Sequence, residues 1–124
     1  MSLNLGTILQ ASASARPDHP AIRFGAATVS YAELDRAARG VAAGIRERGI
    51  APGSQIAIMV PNVPEFTIAY YGILYAGCAV VPLNVLLSAP EVAYHLEDSQ
   101  AQLLFAHPMF EEPAAEGAAQ AGVP

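Results

Sequence analysis

The stretch "LYAGCAVVPLN", residues 74–84, constrains this chain more than any other. It is almost wholly apolar, turns on Gly77 and ends on Pro82 and Asn84. It closes a longer greasy run, Phe66 to Leu87, that Thr67, Gly72, Gly77, Pro82 and Asn84 interrupt. No part of the run reaches the roughly 18–20 uninterrupted apolar residues that a bilayer helix needs. The other way to hide it is burial inside protein. A helix apolar nearly all round then sits sandwiched between other elements, and a glycine hands it over to a buried central strand. With 53% apolar and 14% charged residues in 124 positions, the chain is oily for a free-standing domain, where surface outweighs interior. The opening "MSLNLGTILQ" lacks the positive region and cleavage site of a signal peptide. The reading is one soluble, cytoplasmic unit without a transmembrane segment, carrying much surface meant for burial.

Patterning around the run predicts alternating elements. Residues 4–15 predict a short helix on Leu5, Ile8 and Leu9, stopped by the loop containing Pro17 and Pro20. "AIRFG" and "ATVSY" predict a hairpin that turns at Gly25–Ala26. Ser30 and Glu33 form a capping box, and Leu34, Ala38, Val41 and Ile45 follow at helical spacing. Arg46 and Arg48 suit the negative end of that helix, and Gly49 can supply a left-handed stop. "IAIMV" is an unalternated strand of the kind buried on both faces of a parallel sheet. Pro64 starts a second helix and Gly77 stops it before the strand "AVVPL". Ser88 and Glu91 box a third helix to about Asp98, and "QLLFA" is the last strand. Residues 107–124, rich in Ala, Pro and Gly, show no firm pattern and read as an incomplete tail or a frayed helix. The fold class is α/β: a parallel sheet with flanking helices and an N-terminal β-hairpin. Three strands make a thin sheet whose edges and faces need cover.

The charge pattern removes several functions. A net charge of −5 disfavours nucleic acid and anionic membrane as partners, since both require a basic face. All six basic residues are arginines, so no phosphate lysine or Schiff-base lysine exists within these residues. Cys78 is the single cysteine and reads as a small buried hydrophobe.

The central segment resembles the N-terminal part of the adenylate-forming (AMP-binding) superfamily of acyl-CoA synthetases, luciferases and peptide-synthetase adenylation domains. Val29-Ser30-Tyr31-Ala32-Glu33-Leu34 is similar to its [LV][ST]YxEL motif. Leu74 to Leu83 is similar to its LxAGxxxVPL motif, and "PNVPEF" to its PNSPEF-like turn, with Val63 in place of a capping serine. The likeness runs from about Leu5 to Ala106. It implies that residues 1–106 are a partial N-terminal subdomain of an AMP-binding ligase domain, with 107–124 its incomplete tail. The segment "VPLNVLLSAPEVAYHLEDSQAQLLF" looks more like the fatty-acyl-CoA and aryl-CoA ligase branch. Family members are several times longer. The resemblance therefore implies a parent enzyme, an ATP-dependent acid–thiol ligase using ATP, Mg²⁺ and coenzyme A and acting on a long-chain fatty acid. Its phosphate loop and catalytic lysine fall outside this sequence, so the chain alone is expected to be inactive and to bind none of the three tightly.

No residue here reads as catalytic, as a cofactor ligand or as a metal ligand. Ligands of open parallel sheets gather beyond the carboxyl ends of strands, which points to Asn62 and Asn84 as substrate-binding candidates. The alternative is that both satisfy loop backbone groups. His19, His95 and His107 lack metal-ligand spacing. Tyr70, Tyr71 and Tyr75 read as core, and Glu97 and Asp98 as a solvated face. The expected partners are the remainder of a ligase domain, or further copies of the chain in a dimer or larger species. Rival readings are a stand-alone flavodoxin- or Rossmann-like small-ligand module and a self-associating structural domain. The first lacks both GxGxxG and GxxxxGK[ST].

Overall fold

In the computed structural model, residues 4–124 are described; the first three residues of the expected 1–106 unit lie outside them. The elements follow in the order α1 (Gly6–Ala15), β1 (Pro20–Phe24), β2 (Ala27–Ser30), α2 (Tyr31–Glu47), β3 (Gln55–Met59), α3 (Pro64–Tyr75), β4 (Ala79–Pro82), α4 (Ala89–Ser99), β5 (Leu104–Ala106) and α5 (Glu111–Ala121). A single 3₁₀ turn, Pro108–Phe110, precedes α5. β1 and β2 form the antiparallel hairpin, and β3, β4 and β5 form a parallel sheet in the order β4-β3-β5.

Each start and stop has a local cause. Both capping boxes form: the Glu33 amide donates to Ser30 Oγ at 3.1 Å while Glu33 Oε1 accepts the Ser30 amide at 3.0 Å. Glu91 accepts the Ser88 amide in the same manner. Gly77 lies at φ 78° just past α3. Its amide donates to the Leu74 carbonyl and that of Cys78 to Ile73, the paired bonds of a left-handed helix stop. Gly49 ends α2 with φ 77° and the corresponding bonds to Arg46 and Ile45.

β3 is the axis of the molecule. Its Ile56 and Ile58 point into a core with Ala42 and Ile45 of α2 and Ala69 and Ile73 of α3. Its Ala57 and Met59 point the other way, onto Val92 and Leu96 of α4 and Ala114 and Ala118 of α5. A third cluster, Leu9, Leu34 and Ala38, lies under α1 and the hairpin. Residues 55–59 fail to alternate because both faces of the strand are covered. α3 is sandwiched as its composition predicts: it gives Ile73 to the sheet and Ile68, Tyr71 and Tyr75 to the cluster under α1.

Three expectations are corrected. β4 is an edge strand, not a central one; Ala79 and Pro82 are exposed and Val80 and Val81 only half-buried. The chain returns past β3 to lay β5 on its far side, so the centre falls to β3. Of Leu5, Ile8 and Leu9 only Leu9 is buried, while Leu5 and Ile8 are more than half exposed. Residues 111–121 are a full helix against α4 and the sheet. Their alanines and glycine permit a close approach that longer side chains would prevent.

Candidate functional site

The carboxyl ends of the three parallel strands share one rim. The Ile58–Pro82 and Ile58–Phe105 pairings bring them into line. The Leu83 amide donates to the Ile58 carbonyl at 2.8 Å and the His107 amide to the Met59 carbonyl at 3.1 Å. The loops that leave the sheet there begin with Val60-Pro61-Asn62, Leu83-Asn84 and His107-Pro108.

Asn62 and Asn84 therefore stand on adjacent loops of one rim, and both are exposed. Asn84 is engaged locally: its Oδ1 accepts the Leu86 amide at 2.9 Å and its carbonyl accepts that of Leu87 at 3.2 Å. This side-chain turn matches the backbone-satisfying alternative. The Asn62 side chain has no hydrogen bond among the described residues and is free to meet another group.

A cavity of about 250 Å³ opens on the same rim. Val60, Ile68, Ala69 and Phe105 supply its apolar wall, and Glu65 and His107 its polar groups. Glu65 occupies the first turn of α3. His107 is held by its own turn, with Nδ1 accepting the Met109 amide at 3.2 Å and the ring 6.5 Å from that of Phe110. A surface or capping role is the sequence reading of His107, and the side chain caps the 3₁₀ turn. Only the β4-β3-β5 order, which brings the end of β5 beside the end of β3, gives it neighbours. Larger hollows, of about 370 to 490 Å³, lie elsewhere on the surface, and the one beside α5 shares Ala106 and Pro108 with this cavity.

The remaining side chains behave structurally. No group of three or more His, Cys, Asp and Glu could hold a metal among the described residues. His19 stacks on Tyr31, Tyr70 packs on Phe66, and Glu97 and Asp98 face solvent. Burial pushes the Cys78 thiol up, against a smaller opposing effect of the Ser54 backbone. It is a poor thiolate, consistent with a packing role. A polar cluster joins α2 to α3: Tyr75 Oη donates to Asp35 Oδ1 at 2.7 Å, Arg39 Nε donates to Asp35 Oδ2 at 2.8 Å, and the guanidinium stands over the Tyr75 ring. Burial raises the Asp35 carboxyl, but the bonds from Tyr75 and Arg39 outweigh it and hold the group below its ordinary range.

None of the six arginines lies on the three rim loops. The rim loops thus carry no guanidinium, and their polar side chains are Asn62, Asn84, Ser88 and His107.

Comparison with known proteins places the fold within a family. The family model described as "AMP-binding enzyme" matches residues 9–123. Surfactin synthase subunit 3 of Bacillus subtilis (strain 168) is 36% identical over 103 residues, 83% of this chain and 8% of that protein. The long-chain-fatty-acid–CoA ligase of the same organism is 36% identical over 100 residues, 81% of this chain and 18% of that one. Among solved structures, a benzoate CoA ligase from Burkholderia xenovorans LB400 superposes with a TM-score of 0.91 at 25% identity, over 98% of this chain and 25% of that chain. The N-terminal domain of FACL13 from Mycobacterium tuberculosis gives 0.86 at 28% identity, over 95% of this chain and 30% of that chain. The chain thus spans less than a fifth of the length of these two curated relatives.

Proposed function

This chain belongs to the family of AMP-binding, adenylate-forming enzymes, and from that premise we propose that it forms one wall of an acid–CoA ligase whose carboxylate is a long-chain fatty acid. In the whole enzyme a carboxylate oxygen attacks the α-phosphorus of ATP, the bond to the β-phosphate bridge breaks, and pyrophosphate leaves. The sulfur of coenzyme A then attacks the acyl carbon and AMP departs with the bonding pair. Mg²⁺ supplies charge screening for the phosphates. The residues here make no step of that sequence. They position a rim, with Asn62 as the free polar group and Asn84 as a turn-former, and they work in the cytoplasm.

The observation that carries this reading is the family match over residues 9–123 joined to a superposition that takes in 98% of the chain on an acyl-CoA ligase. The segment from Val81 to Phe105 supports the fatty-acyl-CoA and aryl-CoA branch together, and the fatty-acid choice within it rests on the 36% identity to the fatty-acid ligase. A segment exchange tests it. This chain replaces the matching segment of the Bacillus subtilis fatty-acid ligase and, separately, that of the benzoate ligase, and acid-dependent ATP–pyrophosphate exchange is measured. Exchange with palmitate persists in the first chimera and exchange with benzoate falls in the second. A folded first chimera without exchange overturns the reading.

By itself the chain self-associates as a dimer or larger species. The outer edges of β4 and β5 are unpaired by any other strand among the described residues, and Leu86 and Met109 on the rim loops are 83% and 76% exposed. Light scattering reads this directly, and a clean monomer across concentration removes it.

A further inference from the structure

We propose that the cavity between the carboxyl ends of β3 and β5 binds a small phenolic ring. Topology opens it. β3 sends its chain to α3, on the Ile56–Ile58 face, whereas β5 sends its chain to α5, on the Ala57–Met59 face. Where neighbouring strands part to opposite faces, an open parallel sheet leaves a crevice at its carboxyl end that suits a ligand. Here the crevice holds a cavity of about 250 Å³. A dry engineered cavity of roughly 150 Å³ accepts benzene, so one ring with a short substituent fits.

The lining selects the chemistry. Val60, Ile68 and Phe105 offer a wall for a flat apolar body. His107 and Glu65 are the polar groups. Because His107 Nδ1 accepts the Met109 amide, its Nε2 is the ring's donor. Glu65 in its ionised form only accepts. A phenol hydroxyl suits either group: its oxygen can accept from an Nε2–H and its O–H can donate to a carboxylate. A benzoate ion satisfies His107 and faces the Glu65 charge. Toluene satisfies neither group and strips water from both. The site needs no ATP and stands or falls apart from the ligase reading.

The test is a titration of the ¹⁵N-labelled 124-residue chain with phenol, sodium benzoate and toluene, followed at the Val60, Phe105 and His107 amides. Phenol shifts these resonances saturably, and benzoate and toluene bind at least several-fold more weakly. His107→Ala weakens phenol roughly fivefold, the value of one hydrogen bond, and does not weaken toluene. Ala106→Leu, an exposed lining position, fills the mouth and abolishes the shifts without disturbing the core. No saturable shift, benzoate matching phenol, or shifts indifferent to Ala106→Leu overturns the proposal.

Discussion

Gly117 of α5 lies flat against Val92 of α4: a Cβ built on the glycine falls 2.6 Å from the Val92 Cβ and 2.7 Å from the Ala89 carbonyl oxygen. Both neighbours belong to a well-formed helix and cannot step aside. Gly117→Ala therefore forces α5 away from α4, at a cost of about 1–3 kcal/mol typical of overpacked cores. Thermal denaturation followed by circular dichroism checks it, with the midpoint falling. A variant as stable as the parent shows that α5 is not part of the cooperative unit.

Tyr75 and Asp35 give the second expectation. Tyr75→Phe removes the 2.7 Å bond and costs about 1–2 kcal/mol near neutrality, as expected for a bond to a charged acceptor at a half-buried site. The Asp35 carboxyl titrates below its ordinary 3.8 when folded. Its contribution is present above that value and is lost as pH falls through the lower, folded one. Burial, followed by the Asp35 bond, raises the Tyr75 hydroxyl above its ordinary 10.0. That contribution is full below 10.0 and disappears as the pH climbs through the raised value. Urea midpoints of parent and variant should differ most between these two limits and converge on the acid side. A difference that grows in acid contradicts the assignment.

Gln100 ends α4 at φ 58°, the one non-glycine with positive φ among the described residues. Its amide and that of Ala101 bond back to Glu97 and Leu96 in the same left-handed stop that Gly49 and Gly77 make. A side chain there pays the Cβ–carbonyl crowding that glycine escapes. Gln100→Gly should stabilise the chain by about 0.5–1 kcal/mol, read as a higher urea midpoint with unchanged slope. A lower midpoint refutes it.

How much of this was legible follows from where each signal lives. Ser30 with Glu33, and Gly77 after a helical run, act through backbone groups within a few residues, so sequence alone located them. The unalternated residues 56–59 carried their two-sided burial in plain view. β4 misled because an apolar edge strand and an apolar central strand read alike; strand order is a tertiary fact. α5 hid because its buried positions, Ala114, Gly117 and Ala118, are small. Their helical spacing was the available clue. Asn62 and Asn84 were reachable from strand ends alone, whereas His107 gains its cavity only once β5 is laid beside β3.

The last expectation concerns nucleotide. ATP carries several negative charges, and sites for it combine a glycine-rich backbone cradle with cations. The rim loops after β3, β4 and β5 contain no glycine, lysine or arginine. Four of the six arginines fall on α2 or just beyond it, where Arg39 is committed to Asp35 and Arg46 donates to the Tyr75 carbonyl. With a net charge of −5, the field of the chain also repels a polyphosphate. Calorimetric titration of the isolated chain with ATP and Mg²⁺ should give no measurable heat of binding at millimolar nucleotide. Saturable binding would restore the stand-alone nucleotide module as the better account, because the affinity would then have to come from groups within these residues and not from the rest of a ligase.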